Sequence, residues 1–192
     1  MLNWRMTWIG AAAATALVQP CQQADAAEFV LDPEHTKVEF EMRALGGAHR
    51  GEFTDVSGTV ALDPRTESAQ IDIHIDARSV EASNSAVEKV VRSRSMLDVN
   101  AHKDIAYRAD RVLFADGSPK EIVGELTLRG VTQRIVLAVS RYECTPSDDE
   151  PERCSMIAAA TFKRSAFGMT SYRMLAQDEV HLAIRAQGVR AF

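Results

Sequence analysis

Three cysteines, five histidines and a scatter of carboxylates and arginines are the side chains of this 192-residue sequence with reactive chemistry to offer. The histidines are His35, His49, His74, His102 and His181. No two of them stand four residues apart, the spacing at which one helix face presents a metal, and none pairs with a cysteine at finger spacing. The expectation is therefore that no metal is bound. His74 and His181 alternate with apolar residues and belong to solvent-facing sides of strands, whereas His35 falls in a turn. There is no Gly-x-Ser-x-Gly elbow and no glycine-rich loop leading into a helix. The carboxylates lie on the polar side of alternating runs or in clusters such as Asp148-Asp149-Glu150. A nucleophile and base assembled from distant positions stays open, because catalytic triads are spatial and not sequential. The local pattern nonetheless points away from catalysis, to a protein that is not an enzyme and requires no cofactor.

Cys144 and Cys154 flank the polar run from Thr145 to Arg153, which separates two apolar stretches. In an exported chain an even pair reads as a disulfide, here one that clamps the base of a hairpin loop. Export itself is suggested by residues 1–26. Arg5 supplies a positive start, Thr7 to Val18 is uncharged and largely apolar, Pro20 breaks the run, and Ala24-Asp25-Ala26 has the small-x-small pattern of a cleavage site. The apolar run falls short of the roughly 20 residues that span a membrane. Lipidation at Cys21 is disfavoured because Pro20, not a small residue, precedes it. The reading is a signal peptide over 1–26, a single domain over 27–192 and a periplasmic location. The net charge of −5 and the lack of any basic stripe argue against nucleic acid as a partner.

The elements that must hold these side chains are nearly all strands. Val38, Phe40 and Met42 alternate with charged residues, and Ile71, Ile73 and Ile75, then Ile122, Gly124, Leu126 and Leu128, then Val180, Leu182 and Ile184 recur at every second place with mostly polar residues between them. A period of two is the mark of a half-buried strand. Weaker strands run through 58–62, 105–114, 134–142 and 156–163, separated by Gly46-Gly47, Asp63-Pro64, Asp116-Gly117 and Gly130. One helix is expected between 83 and 98, with Ser85-x-x-Glu88 as a capping box and Val87, Val91 and Leu97 on its apolar face. Seven or eight antiparallel strands with one apolar face must close into a barrel or stack as a sandwich. A barrel also removes exposed edges, and eight strands leave room for a small ligand or for side chains alone.

Seven segments, in order along the chain, resemble the YceI-like family of polyisoprenoid-binding proteins. They are Asp32-Pro33-Glu34-His35-Thr36-Lys37-Val38-Glu39-Phe40, the run from Gly51 to Thr59, Asp76-Ala77-Arg78-Ser79-Val80, and Arg92-Ser93 with Leu97-Asp98-Val99. The run from Gly124 to Thr132, Arg164-Ser165-Ala166-Phe167-Gly168-Met169, and Asp178-Glu179-Val180-His181-Leu182 complete the set. The resemblance implies an all-β fold, a lipocalin-like antiparallel β-barrel of about eight strands with one short inserted α-helix. It implies a binding or carrier role for a long isoprenoid lipid, either a quinone tail or a polyprenyl phosphate. The chain departs from the family pattern at Val90-Val91, Met96-Leu97 and Lys103, so a different shape on the helix side of the cavity, or a different ligand, is the expectation.

On that reading the ligand lies among Val38, Phe40, Met42, Phe53, Ile73, Ile75, Ile105, Tyr107, Leu126, Leu128, Phe162, Phe167, Leu182 and Ile184. The alternative is a cell-envelope interaction module in which these side chains fill the barrel themselves. Met42, Met96, Met156, Met169 and Met174 are either soft cavity walls or gap-fillers. His35, Arg92 and Arg164 are candidates to meet a polar head group, since guanidinium forks suit phosphate. Peripheral contact with a membrane, to exchange lipid, and a homodimer are the remaining partner expectations.

Overall fold

The computed structural model describes residues 27–63, 65–145 and 151–191. The expected signal peptide and the cluster Asp148-Asp149-Glu150 lie outside the described residues. Eleven strand segments and one α-helix follow one another: β1 (Glu28–Leu31), β2 (Lys37–Ala44), β3 (Gly47–Phe53), β4 (Val56–Asp63), β5 (Ser68–Asp76), β6 (Val80–Ala82), α1 (Ser85–Arg92), β7 (Asp104–Ala115), β8 (Ser118–Leu128), β9 (Val131–Thr145), β10 (Arg153–Lys163) and β11 (Ala176–Arg190). Every ladder is antiparallel, and the order β1-β4-β5-β7-β8-β9-β10-β11 returns to β1, closing an eight-stranded barrel. The all-β barrel with one short helix is therefore the observed architecture.

The eleven segments make eight staves because the first three staves are broken. β1 and β2 are interrupted by a 3-10 turn at Pro33–His35, β3 and β4 by Thr54-Asp55, and β5 and β6 by a 3-10 turn at Ala77–Ser79. The two 3-10 turns start alike: the carboxylates of Asp32 and Asp76 accept the backbone N–H of Glu34 (3.1 Å) and Arg78 (2.8 Å). A short acid at that position satisfies a donor that the turn leaves free. The Arg78 side chain also grips Asp76, and together these bonds hold its carboxyl at a pKa of about 2. At Gly58 (φ +146°) the chain passes so close to β5 that a Cβ would collide with the Asp72 carbonyl oxygen, so only glycine fits. The tight connections Asp116-Gly117 and Arg129-Gly130 both have positive φ at both residues, the backbone that matches strand twist in a two-residue hairpin.

One end of the barrel is sealed differently from the other. β6 pairs with β3, while β7 pairs with β5. The space beside β6 is filled by α1 and by residues 93–103, whose Val91, Met96, Leu97 and Val99 are buried. The helix differs from the sequence expectation in two respects. Its cap is Asn84, whose Oδ1 accepts from the N–H groups of Ala86 (3.1 Å) and Val87 (3.0 Å), so Ser85 is the first helical residue. It also ends at Arg92, where the Ser93 hydroxyl donates to the Val90 carbonyl (2.6 Å) and competes with the next turn. Leu97 reaches the core from the following loop and not from the helix face.

At the opposite end Cys144 and Cys154 are directly paired across β9 and β10 and joined as a disulfide. The bridge closes a short loop. Its removal in a Cys144→Ala/Cys154→Ala variant is expected to lower stability by roughly 2–3 kcal/mol. In urea this reads as a lower midpoint; an unchanged midpoint would show that the loop is already held by its ladder.

Candidate ligand cavity

Inward-facing residues of all eight staves enclose two adjoining cavities. The first, about 120 Å³, lies toward the disulfide end and is walled by Phe29, Leu31, Val60, Leu62, Ile71, Ile73, Tyr107, Ile122, Ile135, Leu137, Ile184 and Met156, among others. The second, about 90 Å³, lies under α1 and is walled by Phe40, Met42, Phe53, Val91, Met96, Leu97, Ile105, Leu128, Phe162, Met169 and Val180. Val38, Ile75, Leu126 and Leu182 line both and form a collar between them. The alternation seen in the sequence produces this interior directly, since residues two apart on a strand share a face.

The buried polar groups in the walls are satisfied by the wall itself. The Tyr107 hydroxyl donates to the Ile122 carbonyl (3.1 Å), and burial pushes its pKa up. The Tyr107 ring has room inside because Gly124, diagonal to it on β8, carries no side chain: a Cβ there would strike the ring. Thr36, 3% exposed, accepts the Gln187 N–H and donates to the Gln187 carbonyl. The Tyr142 hydroxyl lies 3.1 Å from Cys144 Sγ, so the first cavity ends against the disulfide; burial raises this phenol too. Among the described residues the one charged side chain in either wall is Arg164, 1% exposed. Its guanidinium donates to the carbonyls of Gln177 (3.0 Å), Met169 (2.7 Å), Ser171 (2.6 Å) and Ala176 (3.3 Å). Beside it the Asp178 carboxylate accepts from the Ser165 hydroxyl (2.6 Å) and N–H (3.0 Å), which lowers its pKa. The interior thus offers a guest apolar contact and shape, with neither a nucleophile and base nor a free charge among the described lining residues.

The structure brings together thirteen of the fourteen residues expected around a ligand: Val38, Phe40, Met42, Phe53, Ile73, Ile75, Ile105, Tyr107, Leu126, Leu128, Phe162, Leu182 and Ile184 all line one cavity or both. Phe167 does not. It packs edge-on against Phe162 (centroids 5.1 Å apart), behind the wall. The three residues expected at a head group are scattered. His35 stands outside the barrel with its side chain 60% exposed and Nδ1 2.9 Å from the Asp32 carboxylate, so it ties down the turn. Arg92 donates to the Val80 carbonyl (2.6 Å) and pairs with Glu88 (3.1 Å), fastening α1 to β6. Neither lines a cavity, and Arg164 meets the second only with donors already engaged. Four methionines of the five line the cavities: Met42, Met96 and Met169 the second, Met156 the first. Sequence reasoning did not single out Tyr142, which faces inward because a register shift between Ile157 and Ala158 reverses the alternation along β9.

Fold and cavity together define a closed meander barrel with an apolar, hollow interior and a helical plug at one end. Residues 29–188 match the sequence model of the YceI-like domain, and the chain belongs to the YceI-like family. A UPF0312 protein of Pectobacterium atrosepticum is 31% identical over 184 residues, 92% of this chain and 94% of the relative. A UPF0312 protein of Pseudomonas aeruginosa is 29% identical over 175 residues, covering 88% and 90%. Among solved structures, BcnA of Burkholderia cenocepacia has the same fold with a TM-score of 0.68 at 17% identity, covering 82% of this chain and 98% of that one. A polyisoprenoid binding domain of Saccharophagus degradans, implicated in plant cell wall breakdown, matches with a TM-score of 0.62 at 14% identity, covering 86% and 99%.

Proposed function

We propose that this protein binds a long-chain isoprenoid lipid, with the tail threaded along the barrel axis through both cavities, and acts as a carrier or buffer in the periplasm. The observation that carries the reading is the interior: two cavities meeting at one collar, with walls mainly of aliphatic, aromatic and thioether groups, and with the buried Thr36, Tyr107 and Arg164 engaged. Such a lining rewards methylene burial at about 0.8 kcal/mol each and discriminates little among head groups. Branched isoprene units suit it, because methionine walls adapt to an irregular chain. The polyisoprenoid binding domain among its structural relatives supports the same ligand class. The signal-like start of the sequence and the disulfide support an oxidising, extracytoplasmic location. A quinone tail and a polyprenyl phosphate are both accommodated by this chemistry, and no catalytic step is assigned.

Native mass spectrometry of the protein purified from its own cell envelope, followed by organic extraction, tests the proposal. The expected result is a stoichiometric adduct that extracts as a prenyl-tailed lipid. A clean apo mass, with no uptake of added quinone or polyprenol, would overturn it in favour of a barrel filled by its own side chains.

A further inference from the structure

At the helix-plugged end, besides Val90 on α1, four large apolar side chains stand in water. Met174 is 95% exposed, Leu45 69%, Leu175 48% and Tyr172 45%. They come from two loops, the β2–β3 hairpin and the connection into β11. These loops are joined where the Leu45 N–H donates to the Leu175 carbonyl (2.9 Å). The N–H groups of Leu175 and Ala176 both close on the Tyr172 carbonyl (2.9 Å each), so the apolar side chains project from a hydrogen-bonded turn. Among the described residues Met174 is the one methionine that lines neither cavity, and burial explains nothing about it.

The charge around this tip is as one-sided as its hydrophobicity. Arg43 and Arg173 flank the apolar group, and segments 43–47 and 170–176 contain no Asp or Glu. Neither arginine makes an ion pair among the described residues, whereas on the barrel sides Arg50, Arg108, Arg185 and Arg190 each meet a carboxylate. In a chain of net charge −5, this is a local reversal. Apolar and aromatic groups flanked by two arginines match a surface that is apolar beneath and anionic above, because arginine stems extend along the apolar layer while their heads reach the charges. A second copy of the chain is a poorer match, since a two-fold contact through this tip would set arginine against arginine.

We infer that the Leu45/Tyr172/Met174/Leu175 tip, with Arg43 and Arg173, docks the barrel on an anionic phospholipid surface. The tip sits close to the second cavity. Met42 and Val180, paired across β2 and β11, line that cavity, and Leu45 lies three residues on, about 10 Å along the strand. Docking therefore brings the α1-covered end of the barrel against the bilayer. Its use for lipid exchange rests on the proposed carrier role, but the docking itself does not.

Sedimentation with vesicles free of isoprenoid tests it. The native protein is expected to bind vesicles of phosphatidylethanolamine and phosphatidylglycerol, to release them as salt is raised, and to leave vesicles of phosphatidylcholine alone. Arg43→Gln/Arg173→Gln is expected to weaken partitioning about 25-fold, near fivefold per arginine. Met174→Ser/Leu175→Ser is expected to weaken it more than about tenfold through lost apolar burial. All four sites are exposed, and circular dichroism checks that both variants stay folded. Native protein left in the supernatant at low salt, or variants that bind as well as native, would overturn the inference. So would a native dimer that Met174→Ser/Leu175→Ser converts to monomer, which would make the tip a self-association surface. Isoprenoid uptake from detergent, measured on the same samples, separates the two readings: vesicle binding without uptake leaves docking standing and removes the carrier role.

Discussion

A Leu126→Trp variant is expected to bind geraniol within about twofold of the native protein, and to lose roughly 30- to 150-fold in affinity for solanesol. The argument starts from the collar. Leu126, with Val38, Ile75 and Leu182, belongs to the walls of both cavities. A short prenyl alcohol has room in one cavity, whereas a long tail must pass the collar to use the second. An indole at position 126 closes the passage, so the tail forfeits burial of at least one isoprene unit, about 2–3 kcal/mol after ordering costs. Overpacking a barrel core by this much destabilises it by about 1–3 kcal/mol, so thermal unfolding accompanies the binding titrations. The discriminating quantity is the ratio between the two ligands, which a general loss of stability does not move. Equal weakening of both, or of neither, would mean that a long chain does not thread the collar. If the ratio changes as expected, the barrel measures tail length, in keeping with an interior that offers no free donor to a head group.

The features legible in the sequence were those set by alternation. Each of the eight staves was announced by one run: those around Phe40, Val60, Ile73, Tyr107, Leu126, Leu137, Ala160 and Leu182. The same period told inside from outside, which is why thirteen of the fourteen residues expected around a ligand share one interior. The segments that alternation does not mark are β1, β3 and β6, of which β3 is reached only by the family resemblance of the run from Gly51 to Thr59. β1 and β6 are only four and three residues long. β3 reads Gly-Ala-His-Arg-Gly-Glu-Phe with little alternation, because Phe40 covers Gly51 from the neighbouring strand and occupies the space a side chain would need. Tyr142 was hidden by a bulge, which reverses facing without any sequence mark. Phe167 was misplaced because a family motif fixes a position in the chain, not the side of the wall on which the ring packs. Charged residues were the least legible. Arg164 shares its residue type with the exposed Arg43 and Arg173, and only the four carbonyls around it reveal what it does.

Those carbonyls make Arg164→Met the most destabilising single substitution expected outside the aliphatic core. Methionine replaces the stem of the side chain but supplies no donor. The carbonyls of Met169, Ser171, Ala176 and Gln177 would then lie beside a buried position without their guanidinium. Removing one partner from a buried hydrogen-bonded charge typically costs about 3–5 kcal/mol, because the remaining groups keep their desolvation penalty. Water reaching the loop would recover part of this, so the lower half of that range is the expectation for urea unfolding. Arg164→Lys is expected to recover only a small part, since an ammonium cannot reach four carbonyls spread over residues 169–177 as a planar fork does. The damage is also local. The loop that Arg164 holds contributes Met169 to the second cavity and carries Tyr172, Met174 and Leu175 at the tip. Amide exchange in Arg164→Met is therefore expected to rise first at 169–176, while the amides of β7 and β8 follow only global opening. Uniform acceleration of exchange across the barrel would mean that Arg164 supports the whole fold and does not specifically order this loop. An unfolding midpoint equal to that of the native protein would show that the four carbonyls find other donors and that the buried arginine is dispensable.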